Sequence, residues 1–259
     1  MKNLLTTIIL FIIAVNIAFA GVKLEFKNYD EGDESNSEIN TAIFTPDKLR
    51  IENKSKDDVV TIIYNGPKEK IIIIMEKDKT YMVMDKEMLE NLGKQMAGVM
   101  EQMKQQLANL PEAQRKQMEK MMGAQMGGID VEYKLVNTGI KKKINDWNTV
   151  KYNLKADEKL MSEIWAAPYS SVGISESDMN VMKSFSNFMK DMVKSVPMAQ
   201  KDPFSAVYDE FKGVPIKTLN KTSNSVSELV SVKDYTPKDS DFIVPSGYEE
   251  KKIPMNGGR

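Results

Sequence analysis

Apolar and polar residues alternate singly over many short stretches of the chain, which is the pattern of strands buried on one face. In the first stretch Val22, Leu24 and Phe26 are separated by charged residues. The runs at 70–75 and 80–84 are continuously apolar, which indicates burial on both faces. The pattern predicts an acidic loop at 30–37 and further strands at 38–44, 48–53, 58–64, 70–75, 80–84, 131–136, 147–154, 159–166, 214–220 and 225–234.

A different pattern occupies residues 84–126, which are rich in methionine. Apolar residues recur three or four positions apart, and on a helical wheel they fall within an arc of about 120°. They are Met88, Leu89, Leu92, Met96, Val99, Met100, Met103, Leu107 and Leu110. Pro111 divides the segment, which predicts a helical hairpin inserted between strands. The stripe must lie on a sheet or a ligand, because each long side chain left in water would forfeit about 1.5–3 kcal/mol.

A third amphipathic helix is predicted from Ser175 to about residue 196, with Asp178 as the capping partner of Ser175. Its apolar side carries Met182, Phe185, Phe188, Met189, Met192, Val193 and Val196. A short helix at 204–211 and an extended apolar plug at 242–248 are predicted further on. The sequence therefore predicts a single α+β domain at 21–250, a curved antiparallel sheet of about ten strands with amphipathic helices on its concave side, and a disordered tail at 251–259.

The first twenty residues have the features of a secretory signal. Lys2 precedes an unbroken apolar run from Ile8 to Val15, and a small-residue cleavage site ends at Ala20. No later stretch approaches the length of a membrane span. The chain has no cysteine, so it has no disulfide and no residue for a lipid anchor. We predict a periplasmic or secreted protein, cleaved after Ala20, without a transmembrane anchor.

Composition argues against most kinds of enzyme. The chain has no histidine and no cysteine, so the commonest general base, the commonest zinc ligands and the thiolate nucleophile are missing. Removal of Lys2 with the signal leaves 35 basic and 37 acidic residues, a net charge of 35 − 37 = −2. Such a balance gives no broad attraction to nucleic acid. We expect no enzyme activity, no cofactor and no nucleic-acid partner.

Four segments in order resemble a bacterial family, the domain of unknown function 4412. They are the strand IIYNG at 62–66, the strand TYMVMD at 80–85 that leads into the methionine-rich helix, IWAAP at 164–168 before a Met/Phe helix, and FIVPSGY at 242–248. That family is similar in layout to periplasmic lipoprotein carriers and outer-membrane lipoprotein receptors. The resemblance implies a half-barrel closed by helices over an apolar cavity, and a lipid or acyl chain as ligand.

The nineteen methionines admit three interpretations. They pack as plain core; or they line a cavity for an apolar ligand, because thioethers are flexible and polarizable; or pairs such as those at 118, 121 and 122 bind Cu(I) or Ag(I). We predict an envelope protein that binds a lipid or acyl chain, with another envelope protein as a second candidate partner. A metal-binding protein and an interaction module without ligand are the alternatives. The candidate ligand-binding residues are Met88, Leu92, Met96, Met100, Met103, Met182, Phe185 and Met189.

Overall fold

The computed structural model describes residues 21–108, 111, 112, 114, 131–195, 210 and 213–252. Twelve strands form one sheet. The strands are β1 Gly21–Asp30, β2 Asp33–Phe44, β3 Lys48–Ser55, β4 Asp58–Asn65, β5 Lys70–Met75, β6 Thr80–Asp85, β7 Tyr133–Ile144, β8 Trp147–Ala156, β9 Lys159–Ala167, β10 Val214–Asn220, β11 Ser225–Tyr235 and β12 Glu249–Glu250. The helices are α1 Lys86–Ala108, α2 Tyr169–Val172 and α3 Asn180–Ser195, with short 3-10 helices at Ser177–Met179 and Asp239–Phe242.

The strand order across the sheet is β12-β6-β5-β4-β3-β2-β1-β11-β10-β9-β8-β7. Consecutive hairpins build the run from β1 to β6. In the run from β7 to β10, hairpins join β7 to β8 and β8 to β9, whereas β10 pairs antiparallel with β9 but follows it only after α2 and α3. β11 joins the two runs by pairing antiparallel with β1 and with β10. The contact with β10 covers only the three residue pairs from Lys217 to Leu219. β12 is the exception in direction, because it pairs parallel with β6.

The predicted fold class, an α+β half-barrel with amphipathic helices covering the concave side of an antiparallel sheet, is wrong. Strand accounts for 55% and helix for 22% of the structure, and the mixed sheet is not closed. Twelve strands about 4.8 Å apart span roughly 50 Å, whereas two packed helices cover only about 20 Å. In the described part of the chain, α1 and α3 contact each other and the region of β3 and β6. The protein is therefore dominated by its sheet.

One face of the sheet carries the core. A cross-strand row runs through Val22, Phe44, Leu49, Tyr64, Ile71 and Met84, each opposite the next in register. We call these six residues the core row and their side of the sheet the apolar face. All but the half-buried Met84 are buried. The row arises because side chains alternate between faces along a strand, so the period-two pattern of the sequence becomes one continuous apolar surface.

Most strands and helices inside the described ranges lie close to the predicted positions, and two of the differences concern turn residues. The acidic loop predicted at 30–37 is mostly strand, because a tight turn around Gly32, with φ +90°, lets β1 and β2 pair up to Asp30 and Asp33. β7 continues past the turn-like residues at 137–139 as a bulge, where Gly139 has φ +71° and donates its N–H to the Asn137 side chain. Turn residues can thus interrupt a strand without ending it.

Several predictions fall on parts of the chain outside the described residues. These are the signal segment 1–20, most of the second half of the methionine-rich hairpin with Met118, Met121 and Met122, and most of the short helix at 204–211. No helix within the described ranges is long and apolar enough to cross a membrane.

The segment 236–250, which we call the C-terminal strap, crosses the face opposite the apolar face. It leaves β11 at Tyr235, and Arg50 of β3 donates a 3.1 Å hydrogen bond to the Asp241 carbonyl. Lys48 lies 5.6 Å from the centre of the Phe242 ring. The strap ends as β12, where the Glu249 N–H donates to the Lys79 carbonyl at 3.0 Å. The C-terminal strap therefore runs from β11, in the middle of the sheet, to β6 near one end of the strand order.

Candidate functional site

Helix α3 packs on the core row through Tyr64. The Tyr64 ring meets Phe185 edge to face, with 5.2 Å between ring centres, and lies 5.7 Å from Phe188. Its hydroxyl shares a 2.8 Å hydrogen bond with the Ser184 hydroxyl. Burial raises the pKa of Tyr64, so this hydroxyl stays protonated. One strand residue thereby holds three residues of the helix.

The start of this helical region has the predicted cap. Ser175 and Asp178 exchange hydrogen bonds: the Ser175 N–H donates to Asp178 Oδ2 at 2.8 Å, and the Asp178 N–H donates to Ser175 Oγ at 3.2 Å. This reciprocal pair satisfies two backbone donors that a helix start otherwise leaves without partners. Asp85 caps α1 in a similar way, because its carboxylate accepts the Met88 N–H at 2.9 Å.

The structure places some of the predicted ligand-binding residues and not others. Met182, Phe185 and Met189 are half-buried on α3 and pack against the core. Met88 is half-buried on the first turn of α1. Helices α1 and α3 contact each other, so the structure brings the two predicted groups into neighbouring helices. The side chains of Leu92, Met96, Met100 and Met103 lie outside the described residues, although their backbone belongs to α1.

A second cross-strand row lies next to the core row on the apolar face. Ile51, Ile62, Ile73 and Met82 stand opposite one another in successive strands. We call these four residues the outer apolar row. All four are half-buried, and three of them pack against the core. The row lies two residues, about 7 Å, along each strand from the core row. Its side chains form an apolar shelf beside the helices.

Sequence reasoning missed this shelf as part of the candidate site. The continuous apolar runs KIIIIM and TYMVM at 70–75 and 80–84 indicated burial on both faces. Such runs do not show which residues stand opposite one another in neighbouring strands. Trp147 and Trp165 are half-buried against the core. Lys151 also lies 5.8 Å from the centre of the Trp165 ring.

A polar cluster lies where β10 and β11 separate. Lys217 Nζ donates to the Tyr29 hydroxyl at 2.9 Å and to Glu228 at 3.0 Å. The Tyr29 hydroxyl donates to Glu228 at 3.1 Å, and Asn145 donates to Glu228 at 3.0 Å. Asn145 also donates to the Leu229 carbonyl at 3.3 Å. The cluster therefore ties β1, β10, β11 and the β7–β8 turn together through hydrogen bonds among its own members.

Opposing effects set the charges of this cluster. Burial alone would raise the pKa of Glu228, but the hydrogen bonds from Lys217, Asn145 and Tyr29 outweigh burial and hold that pKa below its ordinary 4.5. Burial alone would lower the pKa of Lys217, but its hydrogen bonds to Tyr29 and Glu228 raise the pKa above 10.5. Both groups are thus charged at neutral pH. No local sequence signal indicates this cluster, because Tyr29 and Lys217 are 188 positions apart.

We expect this pair to make stability depend on pH. Because the pKa of Glu228 is lowered by folding, its contribution is complete above pH 4.5 and is lost as pH falls through the folded value. Because the pKa of Lys217 is raised, its contribution is complete below pH 10.5 and is lost as pH rises through the folded value. Glu228→Gln should therefore lose less stability than the wild type on acidification, measured by urea unfolding from about pH 7 to pH 3.

Glu31→Gln is the matched control for that measurement, because Glu31 is exposed in the β1–β2 turn. Its acid dependence should equal that of the wild type. An equal loss of stability on acidification in Glu228→Gln and in the wild type would contradict the assignment of Glu228 as an acid-sensitive group.

Two further recesses occur in the described part of the chain. One of about 330 Å³ lies between the C-terminal strap and β1–β3, and charged side chains of both signs line it, Lys23, Arg50, Glu52 and Asp241 among them. The other, of about 590 Å³, lies between the β7–β8 turn and α2. In the described part of the chain, no three or more carboxylates lie close enough together to hold a metal ion.

Comparison with known proteins gives only distant similarities. No family model and no curated protein matches the chain. The structure of PNGF-II in space group C2 matches at 14% identity with a TM-score of 0.40, over 90% of this chain and 31% of that one. An uncharacterized conserved protein from Thermus thermophilus matches at 6% identity with a TM-score of 0.45, over 90% of both chains. The chain thus spans about a third of the length of PNGF-II.

Proposed function

We propose that the protein binds an apolar molecule, a lipid or an acyl chain, along the outer apolar row beside α3. The observation that carries the proposal is the half-burial of Ile51, Ile62, Ile73 and Met82 in one continuous row. A contiguous apolar surface of this kind in a folded protein is a common mark of a binding site. The row contains no polar side chain, so it selects ligands by apolar contact.

The neighbouring helix suits the same class of ligand. Met182 and Met189 are half-buried on α3, and thioether side chains adapt their shape to different apolar molecules more easily than branched ones. Residues 62–66, which carry one of the segments that resemble the domain of unknown function 4412, contribute Ile62 to the row and Tyr64 to the contact with α3. The resemblance implies an apolar ligand and so supports the proposal. The predicted signal peptide is consistent with an activity in the envelope.

The proposal is tested by a fluorescent lipophilic probe whose emission rises in an apolar site. Wild-type protein should bind the probe saturably, and Ile73→Ser should weaken the binding at least several-fold, because it puts a hydroxyl in the middle of the row. Ile72→Ser is the matched control. Ile72 is the preceding residue of β5, is also half-buried, and lies on the opposite face. Urea unfolding of both variants measures the stability that each substitution costs, so a loss of probe binding in a variant that is still folded reports the face and not the fold.

Two results would contradict the proposal. One is the absence of saturable probe binding in the wild type, and the other is an equal effect of the two serine substitutions. Native mass spectrometry of protein purified from its own envelope fraction identifies the occupant. A lipid mass would support the proposal, and a retained copper or silver ion would favour the metal-binding alternative.

A further inference from the structure

The last strand of the sheet, β7, has one edge without a partner strand among the described residues. β7 lies at the end of the strand order and pairs only with β8. Two of its apolar side chains are exposed, Val136 at 41% and Ile140 at 53%. The strand then continues into three exposed lysines at 141–143. The edge of β7 is thus partly apolar and strongly basic.

The outer half of β2 is open on one side and acidic. β2 pairs with β3 only from Thr41 to Phe44, and the Asn40 side chain still accepts the Lys54 N–H of β3 at 2.8 Å. Within the described chain the stretch 33–39 therefore has a partner strand only in β1. This stretch contains Asp33, Glu34 and Glu38. It also contains Ile39, which is 42% exposed. Three of the five large apolar side chains exposed in the described chain therefore lie on these two open strand edges.

We propose that the acidic outer half of β2 in one copy of the chain pairs antiparallel with the β7 edge of a second copy. The antiparallel direction follows from the order of the residues. If Ile39 lies against Val136, the acidic residues that precede Ile39 come to lie along the lysines that follow Val136. Opposite charges on facing strand positions stabilise a pair of strands, and like charges destabilise it.

The same charges argue against the other pairing of edges. Two copies of β7 side by side would bring Lys134 and the lysines at 141–143 of one copy close to the lysines of the other. Lysines on an edge strand, and a bulge such as the one at 137–141, also disfavour pairing of that edge with strands that carry no opposite charge. An acidic strand is therefore the partner that fits. Because each copy offers one acidic and one basic edge, the contact is head to tail and extends into rings or chains.

Sedimentation velocity of the purified protein tests the pairing. The average mass should rise above one chain as concentration rises at low ionic strength, and it should return to one chain in high salt, because exposed charge pairs are screened. Glu34→Lys with Glu38→Lys makes the β2 stretch basic, and Lys141→Glu with Lys143→Glu changes the charge of the 141–143 stretch from +3 to −1. Each double variant alone should remain a monomer. An equal mixture of the two should associate again, because each edge then meets an edge of opposite charge.

A control double variant, Lys68→Glu with Lys77→Glu, makes the same change in net charge as the β7 variant at exposed turn residues on other hairpins, and it should associate like the wild type. Circular dichroism confirms that all variants keep the sheet. A wild type that stays a monomer at every concentration and salt level would overturn the proposal. So would charge reversals that leave association unchanged, or a mixture that does not recover it.

Discussion

Replacement of Tyr64 by alanine is expected to destabilise the protein by about 3–5 kcal/mol, the usual cost of truncating a large buried aromatic residue. Tyr64 is only 1% exposed, and it contacts Phe185 and Phe188 of α3. Its loss leaves a cavity between β4 and the helix that the stiff sheet cannot close. The measurement is the free energy of unfolding in urea, compared between variant and wild type.

Two variants separate the ring from its surroundings. Tyr64→Phe keeps the ring and removes only the hydrogen bond to Ser184, so it should cost about 1 kcal/mol. Tyr81→Ala removes the same side chain from the opposite face of β6, where the residue is half-buried and bonds only weakly to Glu250 at 3.4 Å. It should cost clearly less than Tyr64→Ala. Equal losses for Tyr64→Ala and Tyr81→Ala would contradict the larger contribution to stability that the contacts with α3 assign to Tyr64.

Local structure was predictable where the sequence carries a local signal. The alternation that begins at Val22 became β1, the apolar stripe after Asp85 became α1, and the Ser175–Asp178 cap formed as predicted. Each of these depends on residues within a few positions of one another, so propensity and capping chemistry are sufficient.

The fold class was not predictable in the same way, because it depends on which strands become neighbours. Nothing in the pattern shows that β11 joins the run from β1 to β6 to the run from β7 to β10, or that β12 returns to the edge at β6. The amphipathic helices suggested a covered half-barrel, since an apolar stripe needs a surface. The stripe of α3 finds that surface at Tyr64 and its neighbours, and this requires only part of a wide open sheet.

The candidate site was predictable only on its helical side. A helix shows its buried face in the sequence through the spacing of three and four, so Met182, Phe185 and Met189 could be named. Ile62 and Ile73 could not be selected from continuous apolar runs, because a shift of one residue in register moves every side chain of a strand to the other face. Register is set by the pairing of whole hairpins, and that information is not local.

The C-terminal strap should contribute strongly to stability, although it is short and mostly irregular in structure. It crosses the face that carries Ile43, Ile63 and Ile74, all of which are buried. A chain that ends after Tyr235 would return these side chains to water. At about 1.5–3 kcal/mol for each side chain, the expected loss is about 5 kcal/mol or more.

Removal of the strap should also expose the edge of β6. In the full chain β12 pairs with this edge, and the Lys251 N–H donates to the Tyr81 carbonyl at 2.8 Å. An open apolar edge promotes aggregation. We therefore expect the shortened chain to unfold at lower urea concentration and to aggregate, as measured by urea unfolding and light scattering. A synthetic peptide of residues 236–252 added in trans should restore part of the stability, because the strap binds only the folded sheet.

Ile243→Ser is the matched control within the strap. Ile243 is 56% exposed, so its replacement should change the free energy of unfolding by less than about 0.5 kcal/mol. A shortened chain as stable as the full one would show that other parts of the molecule bury Ile43, Ile63 and Ile74. The peptide can restore only stability that truncation has removed. The two measurements together therefore decide whether the strap stabilises this face of the sheet.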